Sequence, residues 1–440
     1  MFLYGGLLGQ VTRCAILLSP YFPPSTLAGV HRARLLAKHL PAAGWDPIVL
    51  CVDEAYYEQR LDYALAALVP ERVRTVRVGA LPARFTRPFG VGEISLRAWG
   101  PLRRALFQLL KTQRVSAVLI TGAPFSMLLT TEIKRRFGIP VVLDFQDPWV
   151  SAWGAAQPTL SKAGLSHALA RLLEPRVLRS ADFVTAVSDT QNSELFARYP
   201  WLDRSRMAGI PIGGDPDDFT ACHSVPRDGH LLPGFINLSY VGTFWPAAES
   251  SFRLLFQAFA QLRVQEPALA ARIRLNFVGT SGQPDGSAKY VVRHIAEAEG
   301  ITDAVREIPQ RLPYLQALSI LIRSHGLLLI GSAEPHYTAS KIYPALMSGR
   351  PFLSLFHSAS SAHTLLSAAG GGRSLGFGSV EELAGLKPSL VEGIKALAAA
   401  PASFGLPDSA KYALFEARPI AERFAEIFDR LAFERASRLG

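Results

Sequence analysis

The sequence predicts an α/β protein of two Rossmann-like domains, each a parallel sheet with helices on both faces. Three observations predict it. Short apolar runs alternate with longer helix-compatible stretches, the order that gives parallel strands joined by crossover helices. The alternation breaks at the Gly- and Pro-rich stretch 208–219 and then starts again. The chain has 440 residues, 49% hydrophobic and only 19% charged, enough for two sizeable cores. The two sheets are expected to face each other across an interdomain cleft.

Taken in order, strands are expected at 15–19, 48–52, 76–78, 117–121, 141–145 and 183–187. Runs such as Ala117-Val118-Leu119-Ile120-Thr121 are apolar without alternation, as in strands covered on both faces. Helices are expected between them near 28–40, 57–68, 96–112, 126–137, 160–179 and 190–198. The second domain repeats the pattern with strands at 238–241, 275–278, 327–330 and 352–356. These elements give a first domain over 1–208, a hinge over 209–222 and a second domain over 223–409. A helical segment over 410–440, interrupted by Pro419, is expected to pack back on the first domain.

Composition narrows the class. Cys14, Cys51 and Cys222 lie far apart, in an odd number and without paired spacing. That favours reduced thiols in the cytosol over a disulfide framework or a zinc site. No apolar run reaches the 18 to 20 residues a membrane span requires. The first residues lack a basic leader, and Gln10 and Arg13 break their apolar run, so they read as a short extension and not a signal peptide. The net charge of +10 concentrates between Arg74 and Arg114. There a helix carrying Trp99, Leu102, Leu106 and Phe107 beside Arg97, Arg103 and Arg104 suits either an anionic membrane surface or packing on its own sheet. No nucleic-acid-binding motif accompanies the charge, and no nucleic acid partner is expected.

In parallel sheets ligands gather at the carboxyl ends of the strands, so the turns just after each strand carry the chemistry. After the first strand come Gly29, His31 and Arg32; after the fourth, Gly122 and Ser126; after the fifth, Asp144-Phe145-Gln146-Asp147-Pro148-Trp149; after the first strand of the second domain, Gly242-Thr243. His31 suits a packed helix residue better than a base. Arg32 could bind an acceptor phosphate or pair with a surface carboxylate. Asp147 could activate an acceptor or simply form the turn ahead of Pro148. Asp144 and Asp147 resemble a metal-binding pair, but alternation along a strand and the lack of a third ligand argue against a metal. Between the last two expected strands runs His336 to Pro351, with a helix opening on Thr338 or Ser340 and stopping at Gly349. Its first turn holds Lys341. A helix start of this kind presents free N–H groups and a positive dipole end to an anion; the plain alternative is a solvated lysine.

Together these stretches resemble a GT-B glycosyltransferase of the family-4-like group, over most of the chain. The resemblance rests on the Gly29/Arg32 turn leading to Gly44-Trp45-Asp46, on Asp144 to Trp149, on Ala181-Asp182-Phe183-Val184, and on Gly214-Asp215-Pro216. Tyr240-Val241-Gly242-Thr243, Ser340-Lys341-Ile342-Tyr343 and Gly349-Arg350-Pro351 complete it. It implies a nucleotide-sugar bound by the second domain, an acceptor bound by the first, and no obligatory metal or other cofactor.

The expected activity is hexosyl transfer with retention, onto a glycan or lipid-linked acceptor, in bacterial cell-surface polysaccharide or glycoconjugate synthesis. The expected location is the cytoplasm or, peripherally, the inner face of the cytoplasmic membrane. Asp147 and Glu334 are the expected catalytic carboxylates. Gly242, Thr243, Thr338, Ser340 and Lys341 are expected at the donor diphosphate, and Gly29, Arg32, Gly122 and Ser126 at the acceptor.

Two departures from the family pattern stand out. Where the family places two glutamates eight residues apart, this chain has His336 and Pro344, with Glu334 two residues before the first. The arginine and lysine pair that follows Gly-Thr in family members is missing from Phe244-Trp245-Pro246. A non-catalytic or weakly active GT-B homologue acting as a binding partner therefore stays open, as does a nucleotide-sugar epimerase. A nicotinamide enzyme does not, since Pro20-Tyr21-Phe22-Pro23-Pro24 occupies the place of its glycine-rich turn.

Overall fold

The computed structural model describes residues 13–226, 229–283, 286–333 and 340–439. The chain forms two compact units, one of residues 1–212 with 417–440 and one of residues 213–416. The first holds a seven-stranded sheet, β1 (Arg13–Leu18), β2 (Trp45–Val52), β3 (Arg74–Val78), β4 (Val115–Thr121), β5 (Val141–Phe145), β6 (Phe183–Ala186) and β7 (Met207–Gly209). Their spatial order is β3-β2-β1-β4-β5-β6-β7 and every pairing is parallel. The second holds β8 (Ile236–Val241), β9 (Ile273–Val278), β10 (Val305–Ile308), β11 (Gly326–Ile330), β12 (Phe352–His357) and β13 (Gly372–Phe377), ordered β10-β9-β8-β11-β12-β13, again all parallel. Two Rossmann-like units are what the alternation predicted.

Each sheet is covered on both faces. In the first unit, Ile16, Leu18, Ile120 and Leu143 pack on one face with Leu102, Leu106 and Leu129 from crossover helices. On the other face Ala15, Leu17 and Leu119 pack with Leu36 of the Val30–His39 helix and Phe424 and Phe428 of the Ala417–Leu439 helix. That last helix is tied to the first unit by Arg13 and the Trp45 indole, which both donate to Asp429, and by Arg206 to Glu434 at 2.8 Å. Pro419 does not interrupt it. The proline is its third residue, where the backbone N–H has no helical acceptor anyway.

The Trp99–Thr112 helix settles a question the sequence left open. Leu102, Leu106, Phe107 and Leu110 are buried in the core of the first unit. Arg97, just before it, is buried too and donates to the carbonyls of Leu81 and Tyr56 at 3.0 and 3.1 Å. Arg103 forks onto Glu132, with its shortest bond 2.7 Å. The apolar face proposed for a membrane is therefore core, and Arg97 is part of the fold. Burial of four large side chains stabilises the unit by roughly 1.5–3 kcal/mol each, which no exposed orientation would recover.

The other differences are local. The helix expected at 57–68 is one turn, Tyr63–Ala66, N-capped by Asp62. Strands β7, β10 and β13 were not expected at all. No helix among the described residues is long and apolar enough to cross a membrane.

Candidate functional site

Each sheet has one place where neighbouring strands send their connections in opposite directions, between β1 and β4 in the first unit and between β8 and β11 in the second. A crevice opens there at the carboxyl ends of the strands. The candidate residues cluster at these two points.

In the first unit, Asp144 closes β5 as a fully buried carboxylate. It accepts from Arg32 Nε at 3.0 Å, Thr121 Oγ1 at 2.6 Å and Thr185 Oγ1 at 2.8 Å, so both oxygens are engaged. Arg32 also donates to the carbonyls of Ile210 and Pro211, and its guanidinium lies 5.1 Å over the Phe424 ring. Only 1% exposed, Arg32 is a latch joining β5, the segment after β7 and the last helix. It is not an acceptor ligand, which corrects the expectation from sequence. A buried ion pair is retained only when its remaining donors are satisfied, as they are here.

Gln146, two residues on, joins three strand ends. Its Nε2 donates to Gly29 O at 3.1 Å and Thr121 Oγ1 at 2.7 Å, and Gly122 approaches the same group. A Cβ on Gly29 would stand 3.0 Å from Gln146 Oε1, so a larger residue there would press on the Gln146 amide. Sequence reasoning quoted Gln146 without giving it a role; its place between two carboxylates was the available signal. Gly29 and Gly122 are thus brought together with Asp147 nearby in the chain. Ser126 is not among them. It is buried and donates its hydroxyl to Ala123 O at 2.5 Å, from within the short turn Pro124–Leu128.

Asp147 differs from Asp144 in every respect. Its side chain keeps exposed surface and makes no hydrogen bond or ion pair among the described residues. Crowding by surrounding protein removes enough water to push its carboxyl above the ordinary range. A partly desolvated carboxylate with no ion-pair partner among the described residues is a group able to hold or take a proton from a hydroxyl.

In the second unit, β8 ends on Val241, and Gly242 has φ +148. Lys341 folds across this turn. Its Nζ lies 3.9 Å over the Tyr240 ring and donates to Tyr240 Oη, whose own proton goes to Thr243 O at 2.8 Å. A Cβ on Gly242 would meet Lys341 Cδ at 3.0 Å. Among the described residues no carboxylate pairs with the ammonium. Although Lys341 keeps some surface as a residue, its charged end is enclosed, and burial lowers it from 10.5 to about 7. A lysine held beside a glycine turn, with no ion-pair partner among the described residues, is a group whose charge an anion could satisfy.

The helix that follows is shorter than expected. It runs Ile342–Met347, with Lys341 at its N-cap and Pro344 in its first turn, where the missing N–H costs nothing. Gly349, at φ +65, ends it. Tyr343 stacks on Phe415 at 5.1 Å. Ser340 is exposed just ahead of Lys341. Glu334 and Thr338, with His336, lie outside the described residues.

Residues 29–213 match the family Glycosyl transferase 4-like domain. The fold is GT-B. Solved structures agree along nearly the whole chain. A glycosyltransferase from Rickettsia africae is 14% identical, with a TM-score of 0.59 over 96% of this chain and 99% of that one. Anabaena HepE, solved in complex with UDP and glucose, is 16% identical with a TM-score of 0.60 over 94% and 99%. A UDP-forming α,α-trehalose-phosphate synthase from Burkholderia xenovorans, in complex with glucose-6-phosphate, is 12% identical with a TM-score of 0.60 over 95% and 100%. No curated protein matches the sequence.

Proposed function

We propose that this protein is a glycosyltransferase that moves a hexosyl group from a nucleotide-sugar to a glycan or lipid-linked acceptor. The single observation that carries the reading is Lys341, an enclosed ammonium with no ion-pair partner among the described residues, lying across the Gly242-Thr243 turn at the switch point of its sheet. As the glycosidic bond to the diphosphate breaks, negative charge grows on the leaving oxygen. In this proposal Lys341 and the Thr243 amide meet that charge, with Ser340 and Thr338 completing the cradle; the Gly242 amide itself donates to Val278 O at 2.8 Å, so Gly242 serves by its close approach and not as a donor. The uridine nucleotides named with HepE and the trehalose-phosphate synthase favour UDP-sugars as the first donors to test.

Asp147 takes the acceptor side of the proposal, as the group that orients or deprotonates the attacking hydroxyl, with Glu334 toward the donor sugar. Retention at the anomeric carbon and transfer without a metal belong to the same reading. The second is supported by Asp144, whose oxygens are committed to Arg32, Thr121 and Thr185 and leave Asp147 without a carboxylate partner. A cytoplasmic site of action and a role in bacterial surface glycan synthesis are further parts of the proposal.

Incubation with UDP-, GDP- and ADP-sugars, with detection of released nucleoside diphosphate, tests it. Release from one donor that rises with added acceptor and disappears in Lys341→Ala supports transfer. Nucleotide binding without release from any donor would make the chain a non-catalytic GT-B homologue, and interconversion of the sugar without release would make it an epimerase.

A further inference from the structure

We infer that the first unit carries a docking surface for an anionic lipid bilayer, built on the Lys162–Ser180 helix and not on the Trp99–Thr112 helix. Leu165, Leu169 and Leu172 recur at helical spacing on one stripe, and they are 56%, 42% and 54% exposed. Leu160, just before the helix, and Trp153, on the short helix Ala152–Ala155, are more exposed still. Toward the C-terminal end of this helix Val177 and Leu178 are buried in the usual way, and Leu173 is half-buried. An apolar stripe of this size left in water is unusual for a helix that packs on its sheet along the other side.

Charge says what covers it. Lys162 precedes the leucines, Arg171 flanks them, and Arg176 and Arg179 continue the stripe toward the C-terminus. None of the four is in an ion pair among the described residues, and from 151 to 180 the only acidic side chain is Glu174. Glu174 is buried and occupied, accepting from Arg198 and Tyr199 at 2.9 Å each. The exposed face is therefore leucine, tryptophan and uncompensated positive charge, the composition of a helix that lies in the headgroup region of an anionic membrane.

A second element of the same kind sits close by. Leu81, Phe85 and Phe89 are 60%, 61% and 84% exposed, and Arg84 lies 4.8 Å over the Phe85 ring. Leu81 N bonds Arg97 O, and the turn Ile94–Arg97 packs on Pro124–Leu128, the same turn that the Lys162–Ser180 helix packs against. A second copy of the chain is a poor occupant, because two-fold pairing of this face sets like charges against one another.

The inference is independent of glycosyl transfer, since lipid binding is measured without donor or acceptor. The full-length protein is sedimented with vesicles of phosphatidylcholine alone or with 30% phosphatidylglycerol, at low and at high salt. Wild type is expected to bind the anionic vesicles at least tenfold more tightly and to be released by salt. Lys162→Glu/Arg171→Glu/Arg176→Glu is expected to lose on the order of 100-fold, about fivefold for each basic residue removed. Leu165→Gln/Leu169→Gln/Leu172→Gln is expected to lose binding while keeping the wild-type circular dichroism and melting temperature, which report a folded protein. Independently of any triple variant, brominated lipid should quench wild-type fluorescence more than that of Trp153→Phe. Wild type that stays in solution with anionic vesicles at low salt overturns the inference. So does either triple variant that binds like wild type, or a solution dimer that the leucine substitutions dissociate.

Discussion

Replacing Lys341 by methionine isolates the charge, because methionine keeps most of the aliphatic stem that covers Gly242. A hydrogen bond to a charged group is worth about 1.5–3 kcal/mol, so UDP affinity should fall by roughly 10- to 150-fold. The pH dependence is more specific. With the free lysine titrating at about 7, it is already a cation at pH 6, and diphosphate binding there needs no proton from this group. Above 7 the free protein has lost that proton and binding must restore it. Affinity should therefore fall with rising pH, by up to tenfold per unit, until the pKa of the bound state is passed. The phosphate's own titration near about 6 lies below this window.

Titration calorimetry at pH 6 and 8.5, in buffers of different ionisation enthalpy, reads both effects. Proton uptake at 8.5 approaching one per UDP is expected in wild type and absent in Lys341→Met. Stability separates a site lysine from a structural one. The folded value lies below the unfolded 10.5, so burial of the charge costs stability fully below pH 7, and the penalty fades as pH rises toward 10.5. Lys341→Met should then leave the melting temperature at pH 6 unchanged or raise it. Unchanged UDP affinity, no proton uptake and a lowered melting temperature would refute the reasoning and make Lys341 a packing residue.

Three other outcomes follow from the same geometry. Arg32→Met leaves Asp144 buried without its charged partner and should cost about 3–5 kcal/mol in urea unfolding, with UDP affinity unaltered in the protein that remains folded. Asp147→Asn should lower kcat by about 10²–10⁴-fold, the range for a lost acid or base, and leave UDP affinity and the melting temperature near wild type, measured by steady-state kinetics and calorimetry. Transfer should persist in EDTA; loss of activity that manganese or magnesium restores would show that the site needs an ion the protein groups do not replace.

The central strands were legible because a strand covered on both faces must be apolar throughout, and β1, β4, β5 and β11 read that way in the sequence. The three strands that were not expected, β7, β10 and β13, all lie at sheet edges and are mostly half-buried. With one neighbour and partial solvent contact, their side chains carry no continuous apolar signal. That Gly242 and Asp147 follow strands and that Gly29 and Lys341 open helices was also legible, since element boundaries and turn chemistry are local properties. What a side chain does with its charge is not local. Arg32 and Lys341 are both basic residues at a strand or helix boundary, yet one is locked onto Asp144 and the other has no ion-pair partner among the described residues. That difference is set by β5, which lies over a hundred residues from Arg32 in the chain, and by the Tyr240 ring that the fold brings under Lys341. The Trp99–Thr112 and Lys162–Ser180 helices make the same point about apolar faces. Sequence determined that both helices carry leucines beside arginines; only the tertiary structure decided that the first set lies against a sheet and the second faces water, because burial depends on which surfaces the topology brings together.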